Sequence, residues 1–192
     1  MSDALERRLE GIVRGSPSLM QVLQTARDLD LPDWLIFSGA IYQRVLNHLT
    51  GRDPDYGIKD YDLGYFDPDT SYEAEDAVIS RVAAAFEPPL RDMIEVRNQA
   101  RVHLWFEGKF GEPYAPLTRT ADCLERFVSP LFAVGVRLEP DERLTILAPF
   151  GLDDLFALRL APNPRRITNG FARTSASATA RWPELIVTNS SL

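Results

Sequence analysis

The residues best suited to chemistry are Asp60 and Asp62, in the run GIKDYDLGYFD at 57–67. Residues 60–66 alternate in period two, which predicts a strand. Successive side chains then point to opposite faces, so Asp60, Asp62, Gly64 and Phe66 share one face while Tyr61, Leu63 and Tyr65 share the other. Two carboxylates held two residues apart repel and raise at least one pKa unless a cation intervenes. A hard divalent ion with oxygen ligands resolves the pair. The plain alternative is a solvated acidic strand end. Six aspartates lie between 53 and 69, but no frame among them matches the calcium-loop spacing D-x-[DN]-x-[DN]-G.

A third carboxylate comes from residues 93–106, read as a second long strand. Its even positions are mostly apolar (Ile94, Val96, Ala100, Val102, Leu104, Phe106), whereas its odd positions collect Glu95, Arg97, Gln99, Arg101 and His103. One face is core and the other polar, although a solvated edge strand would alternate in the same way. Asn98 breaks the apolar face, so its carboxamide must bond a neighbouring backbone or mark a bend. If the two strands are neighbours, Glu95 approaches Asp60 and Asp62. Three carboxylates can hold two divalent ions about 3.5–4 Å apart, one activating an attacking hydroxyl and the other stabilising leaving oxygens. Arg101 and His103 would neutralise phosphate charge from the same face; for His103 a structural hydrogen bond is the alternative.

The turn Phe37-Ser38-Gly39-Ala40 supplies a complementary anion site. Gly39 lets backbone amides approach a ligand, and the N-terminus of the following helix favours negative charge. Arg44, about one turn along that helix, would reach a phosphate or pair with a surface acid.

These residues need a scaffold. Ser16-Pro17 starts a helix with Leu19, Val22, Leu23 and Ala26 on one face, closed by Pro32. Residues 34–37 form a short buried strand, and Ile41, Val45, Leu46 and Leu49 continue as a helix. Thr70 and Glu73 form a capping-box pattern ahead of a helix that ends near Pro88-Pro89. A helix at 120–127, strands at 131–138 and 143–148, and a short helix at 152–160, capped by Asp153 or Asp154, complete the core. Residues 161–192, including the Ser/Thr/Ala-rich FARTSASATAR, read as a weakly structured extension of a single domain spanning 1–192. Its end is tacked to the surface by Trp182, Leu185 and Ile186.

The 192 residues carry a formal net charge of −7, 45% hydrophobic residues and one cysteine. A negative chain is poorly matched to duplex nucleic acid, whose grip depends on Lys and Arg. The start lacks the pattern of a signal peptide, and no apolar run approaches the roughly 20 residues that cross a bilayer. A reducing cytoplasm is the expected setting, with no membrane partner.

Four segments, FSGAIYQRVLNHL, GIKDYDLGYFD, IEVRNQARVHLWF and APFGLDDLFALRLAPNP, together resemble the bacterial nucleotidyltransferase-like proteins of the DNA polymerase beta superfamily. The resemblance spans most of residues 34–164. It implies an α/β (α+β) fold with a mixed sheet flanked by helices. It places Gly39 and Ala40 on a phosphate turn, Asp60 and Asp62 on a magnesium (or manganese) pair, and Glu95 on the third carboxylate. Ala40 departs from the commoner Gly-Ser form of that turn. Gln99, Arg101 and His103, with Asn98, fall in a segment without a standard role in the superfamily, which is expected to hold the acceptor or the base.

The implied activity moves a nucleoside monophosphate from a nucleoside triphosphate to an unidentified acceptor. Two alternatives stand beside it: a nucleotide-binding or regulatory module with the same fold and no turnover, and a metal-dependent glycosyltransferase. The last is disfavoured by the chain's size and by the lack of a Rossmann Gly-rich turn.

Overall fold

A computed structural model describes residues 2–166 and 170–188. The elements, in chain order, are α1 (Ser2–Arg14), α2 (Pro17–Leu29), β1 (Leu35–Phe37), α3 (Gly39–Thr50), β2 (Tyr61–Tyr65), α4 (Tyr72–Ala85), α5 (Leu90–Met93), β3 (Ile94–Asn98), α6 (Val102–Phe110), β4 (Gly135–Leu138), β5 (Leu144–Leu147), α7 (Asp153–Phe156), β6 (Arg159–Leu160), α8 (Phe171–Arg181) and β7 (Ile186–Val187). Three 3-10 segments, Gln99–Arg101, Thr120–Arg126 and Pro130–Phe132, join them.

Five strands form one mixed sheet in the order β3-β2-β1-β4-β5. β2 and β3 run parallel, joined by the crossover through α4, and the other neighbours are antiparallel. β1, at the centre, is three consecutive buried apolar residues, as expected of a strand covered on both faces.

The two faces differ in what covers them. Ile36, Tyr61, Leu63, Tyr65, Val96 and Val136 point into the main core with the buried stripes of α1, α2 and α3. α2 buries Leu19, Val22, Leu23 and Ala26, the stripe predicted by spacing. α3 is buried from Gly39 through Asn47, so it is a central helix rather than an amphipathic cover. Leu35 and Phe37 point to the other face and join Leu117, Cys123, Leu124 and Ala133 in a smaller cluster. Asp62 and Gly64 belong to this second face. Gly64 is there because of close approach: a Cβ on it would lie 2.6 Å from Phe37 Cε1.

The expected strand at 93–106 is cut short. β3 stops at Asn98, whose side chain accepts from Ala100 N–H and starts the 3-10 turn. The Asn98 carboxamide also accepts from Asp67 N–H and donates to the carbonyls of Asp67 and Asp69, so one buried side chain ties the exit of β2 to the end of β3. Residues 102–110 are helical, and the period-two pattern beyond Asn98 is a coincidence of composition.

Other boundaries also shift. Ser71, not Thr70, caps α4, accepting from Ala74 N–H. No side chain caps α7; Asp154 pairs with Arg159 instead, at 2.5 Å.

The C-terminal segment departs furthest from expectation. Residues 167–169 and 189–192 lie outside the described residues, but FARTSASATAR is the helix α8, and β7 pairs parallel with β6. Trp182 is fully buried in the main core and donates its indole N–H to Asn47 Oδ1 at 2.9 Å. Burying an aromatic side chain of this size is worth roughly 2–3 kcal/mol. Trp182 is therefore a core residue and not a surface tack; of the three residues expected at the surface, Ile186 alone is well exposed.

Candidate functional site

The register of the sheet builds the site. Phe37 lies opposite Asp62 on one side, and Glu95 lies beside Asp62 on the other. Continuing the antiparallel register past Phe37 brings Gly39 opposite Asp60, and a Cβ on Gly39 would sit 3.8 Å from Asp60 Oδ1. The start of α3, Asp60, Asp62 and Glu95 therefore form a row across three neighbouring strands, on the face with the smaller core.

Asp62 is the electrostatic centre of the row. Burial, followed by the like charges of Asp60 and Glu95, pushes its carboxyl up to about 7, with Arg97 opposing. The carboxylates share one face as expected, although among the described residues no group of three or more His, Cys, Asp or Glu forms a ready-made metal cage. A desolvated carboxylate flanked by two others and only partly balanced by Arg97 is an environment that a divalent cation would relieve.

Ser38 stands at the head of the turn with φ 56° and ψ −118°, outside the usual range for a residue with a side chain. Backbone strain of this kind needs firm support from its surroundings. Here the Ser38 N–H donates to Val134 O, and Ser38 O accepts from Ile41 and Tyr42 N–H. No side chain caps the helix start, and the first amides of an α-helix have no carbonyl partner within it. Ala40 is fully buried, whereas Ser38 lines the cavity over the row. The hydroxyl missing at Ala40 is thus present two residues earlier.

That cavity measures about 460 Å³, within the range of small-ligand sites. Asp62, Glu95, Arg97 and Gln99 line its floor; Tyr42, Phe127 and Phe132 line one wall, and Trp105, Phe106 and Tyr114 the other. Lys109 and Arg126 add positive charge. A larger cavity of about 560 Å³, lined by Arg7, Arg8, His48 and Arg52, contains none of the acidic row.

Several expected site residues lie elsewhere. Arg44 is buried and committed within the fold: its guanidinium donates to Ser16 Oγ, Ala40 O, Ser18 Oγ, Asp55 Oδ1 and Tyr61 OH at 2.7–2.9 Å. It is a structural hub, with all three guanidinium nitrogens engaged inside the fold, and it does not line the cavity over the acidic row. Arg101 pairs with Glu75 at 3.0 Å and donates to Ser71 O, bracing α4 against the end of β3. His103 lies on α6 outside the cavity lining, with Nδ1 buried and unpartnered. Both corrections follow from the early end of β3, which takes these side chains off the face of Glu95.

Other residues enter the site without having been singled out for it. Arg97 stands in the odd-numbered series with Glu95, and Ser38 adjoins Gly39, so both had a local signal. Arg181, from α8, donates to Gln43 Oε1 at 3.4 Å, and its charge acts on Tyr42, whose hydroxyl burial pushes upward in pKa. Cys123 also lines the cavity; burial and then Asp62 push its thiol well above the ordinary range.

The fold is thus a mixed α/β sheet with an Asp-x-Asp strand beside a strand-to-helix Gly turn. The chain belongs to the nucleotidyltransferase family, whose profile matches residues 24–187. It is similar to a solved NMR structure described as a CCA-adding enzyme head domain, at 25% identity and a TM-score of 0.75, covering 94% of this chain and 96% of that one. No curated protein matches the chain. Among the described residues no helix is long and apolar enough to cross a membrane.

Proposed function

We propose that the protein transfers a nucleoside monophosphate from a nucleoside triphosphate to an acceptor hydroxyl, with magnesium or manganese held by Asp60, Asp62 and Glu95. The observation that carries this reading is the half-buried Asp62 carboxylate, set between Asp60 and Glu95 at the floor of a cavity that opens beside the Ser38-Gly39 turn. Family membership supports nucleotidyl transfer as the general chemistry.

In the reaction, the acceptor oxygen forms a bond to the α-phosphorus, the bond from that phosphorus to the pyrophosphate oxygen breaks, and the hydroxyl proton passes to solvent. Bound divalent ions would supply charge neutralisation for the phosphates, the largest need of phosphoryl-group chemistry. The chain's own residues position the substrate. In this reading the amides of Gly39 and Ala40 and the Ser38 hydroxyl would meet the phosphate chain, and Arg181, held against Gln43, would add positive charge beside the same turn. Gln99 remains a candidate for contact with substrate from the floor.

The test is incubation with labelled nucleoside triphosphates, magnesium and cell extract. Pyrophosphate release with label transferred to an acceptor is expected, and Asp60→Ala/Asp62→Ala should abolish both. Ala40 in place of the commoner serine favours a second reading, a binding module without turnover; tight magnesium-dependent triphosphate binding with no pyrophosphate release would select it. Failure to bind any triphosphate would reject both.

A further inference from the structure

We infer that the cavity between α1 and the C-terminal half of α3 is a second anion site, built for a small molecule that carries a diphosphate group and separate from the acidic row.

Two helical stripes make this cavity. Residues 7, 11 and 15 recur at four-residue spacing along α1 and its end, and residues 44, 48 and 52 do so along α3 and the turn after it, so each set shares one face. The first stripe brings Arg7, with Arg8 beside it, and the second brings Arg44, His48 and Arg52. The space between them is about 560 Å³, within the range of small-ligand sites.

Its charge sets it apart from the rest of the chain. The net charge is −7, yet among the described residues no carboxylate lines this cavity. Among the same residues, Arg7, Arg8 and His48 have no carboxylate within ion-pair distance; Arg8 lies over the Phe156 ring at 4.7 Å. Glu184 meets Arg52 at 2.8 Å and Asp55 meets Arg44 at 2.7 Å, and both acids are well exposed, so water screens them. Arg44 itself is 2% exposed and held in place from within the fold, a fixed cation at the floor. Guanidinium groups match phosphate oxygens in charge and in fork geometry. Two of them without acids of their own, an imidazole and a buried third guanidinium suit a diphosphate better than a single phosphate.

Gly11 is a separate observation. It stands within α1, where glycine costs helix stability, and a Cβ there would meet nothing within 4 Å. No neighbour in the fold requires the side chain to be missing, and its absence keeps the space beside Arg7 and Arg8 open. Ile12 and Pro54, also in the lining, offer apolar surface to the organic part of a ligand.

The probes are inorganic pyrophosphate and ADP, titrated separately into the full chain by calorimetry at low salt, in buffer free of phosphate and of divalent metal. Without metal the acidic row repels both. Saturable one-to-one binding of at least one probe is expected; tighter binding of ADP assigns a nucleotide, and tighter binding of pyrophosphate an inorganic diphosphate. Arg7→Ala and His48→Ala should each weaken binding about tenfold, the order expected for a hydrogen bond to a charged group. Arg7→Lys should retain most of it. Gly11→Leu, which fills the space and removes no charge, should abolish binding. All three positions are exposed, and melting temperatures no lower than that of wild type would confirm folding. Asp60→Ala/Asp62→Ala should bind the probe as wild type does, which separates this site from the transfer reading.

Absence of binding by wild type with both probes would overturn the assignment. Binding that survives Gly11→Leu and both charge removals would also overturn it, as would binding lost in Asp60→Ala/Asp62→Ala, because the anion would then rest at the acidic row. Capture by phosphatidylglycerol vesicles, lost in Arg7→Ala and with neither diphosphate bound, would overturn it too and make the cations a membrane-facing patch. The transfer reading is judged apart from all of these, by magnesium-dependent triphosphate binding and pyrophosphate release.

Discussion

Replacing Asp62 with Asn should stabilise the metal-free protein, and by an amount that depends on pH. The carboxyl has an ordinary value of 3.8 in the unfolded chain and is raised to about 7 in the fold, first by burial and then by Asp60 and Glu95. Between these values the folded state keeps a proton that the unfolded state has released. Stability from this group therefore falls as pH rises from about 4 to about 7, and is level above that. At roughly 1.4 kcal/mol per pK unit, the full cost at pH 8 is about 4 kcal/mol, and at pH 5 about 1.5 kcal/mol. Water reaching the partly exposed carboxylate makes both figures upper bounds. Asn keeps the shape of the protonated acid and has no charge to desolvate, so Asp62→Asn should recover most of this cost. For a chain of this size the gain is on the order of 10 °C in Tm at pH 8 and about 4 °C at pH 5. Thermal unfolding at both pH values, in the presence of a chelator, measures it. Adding magnesium at pH 8 should raise the Tm of wild type and not that of the variant, closing the gap. A variant no more stable than wild type, or a gain equal at the two pH values, would refute the argument that Asp62 is a destabilised carboxylate.

Two further predictions follow from buried polar groups. Arg44→Ala should cost about 2–3 kcal/mol in urea unfolding, because it strands neutral partners that include the buried Ser16 hydroxyl, while Asp55 stays in contact with water; Lys at this position should rescue little, lacking the planar fork of donors. Cys123, 5% exposed and with its thiol pushed upward by burial, should resist a thiol-specific disulfide reagent at pH 8 and react fully in urea; rapid labelling of the native protein would show that the smaller core opens readily.

The sequence alone determined the features set by local period and local chemistry. The Asp60–Phe66 alternation placed the two aspartates on one face, the paired faces around 94–98 added Glu95, and a strand ending in Ser38-Gly39 marked the helix start. Each depends only on backbone geometry over a few residues. The end of β3 was not legible, because apolar and polar residues go on alternating to Phe106 while the Asn98 carboxamide, bonded to a loop about thirty residues earlier, turns the chain. That turn removed Arg101 and His103 from the face of Glu95 and placed the aromatic residues of α6 at the rim of the cavity. Arg44 at its helical position was compatible with a phosphate or with a buried network, and only the packing of α2, the loop at Asp55 and Tyr61 around it selected the network. The C-terminal stretch FARTSASATAR mixes the good helix formers Ala and Arg with Ser and Thr, so over eleven residues its own preference leaves a helix marginal. It becomes the helix that carries Arg181 toward Gln43 because Trp182 has a buried slot against Asn47, a contact between residues 135 apart that no local pattern encodes.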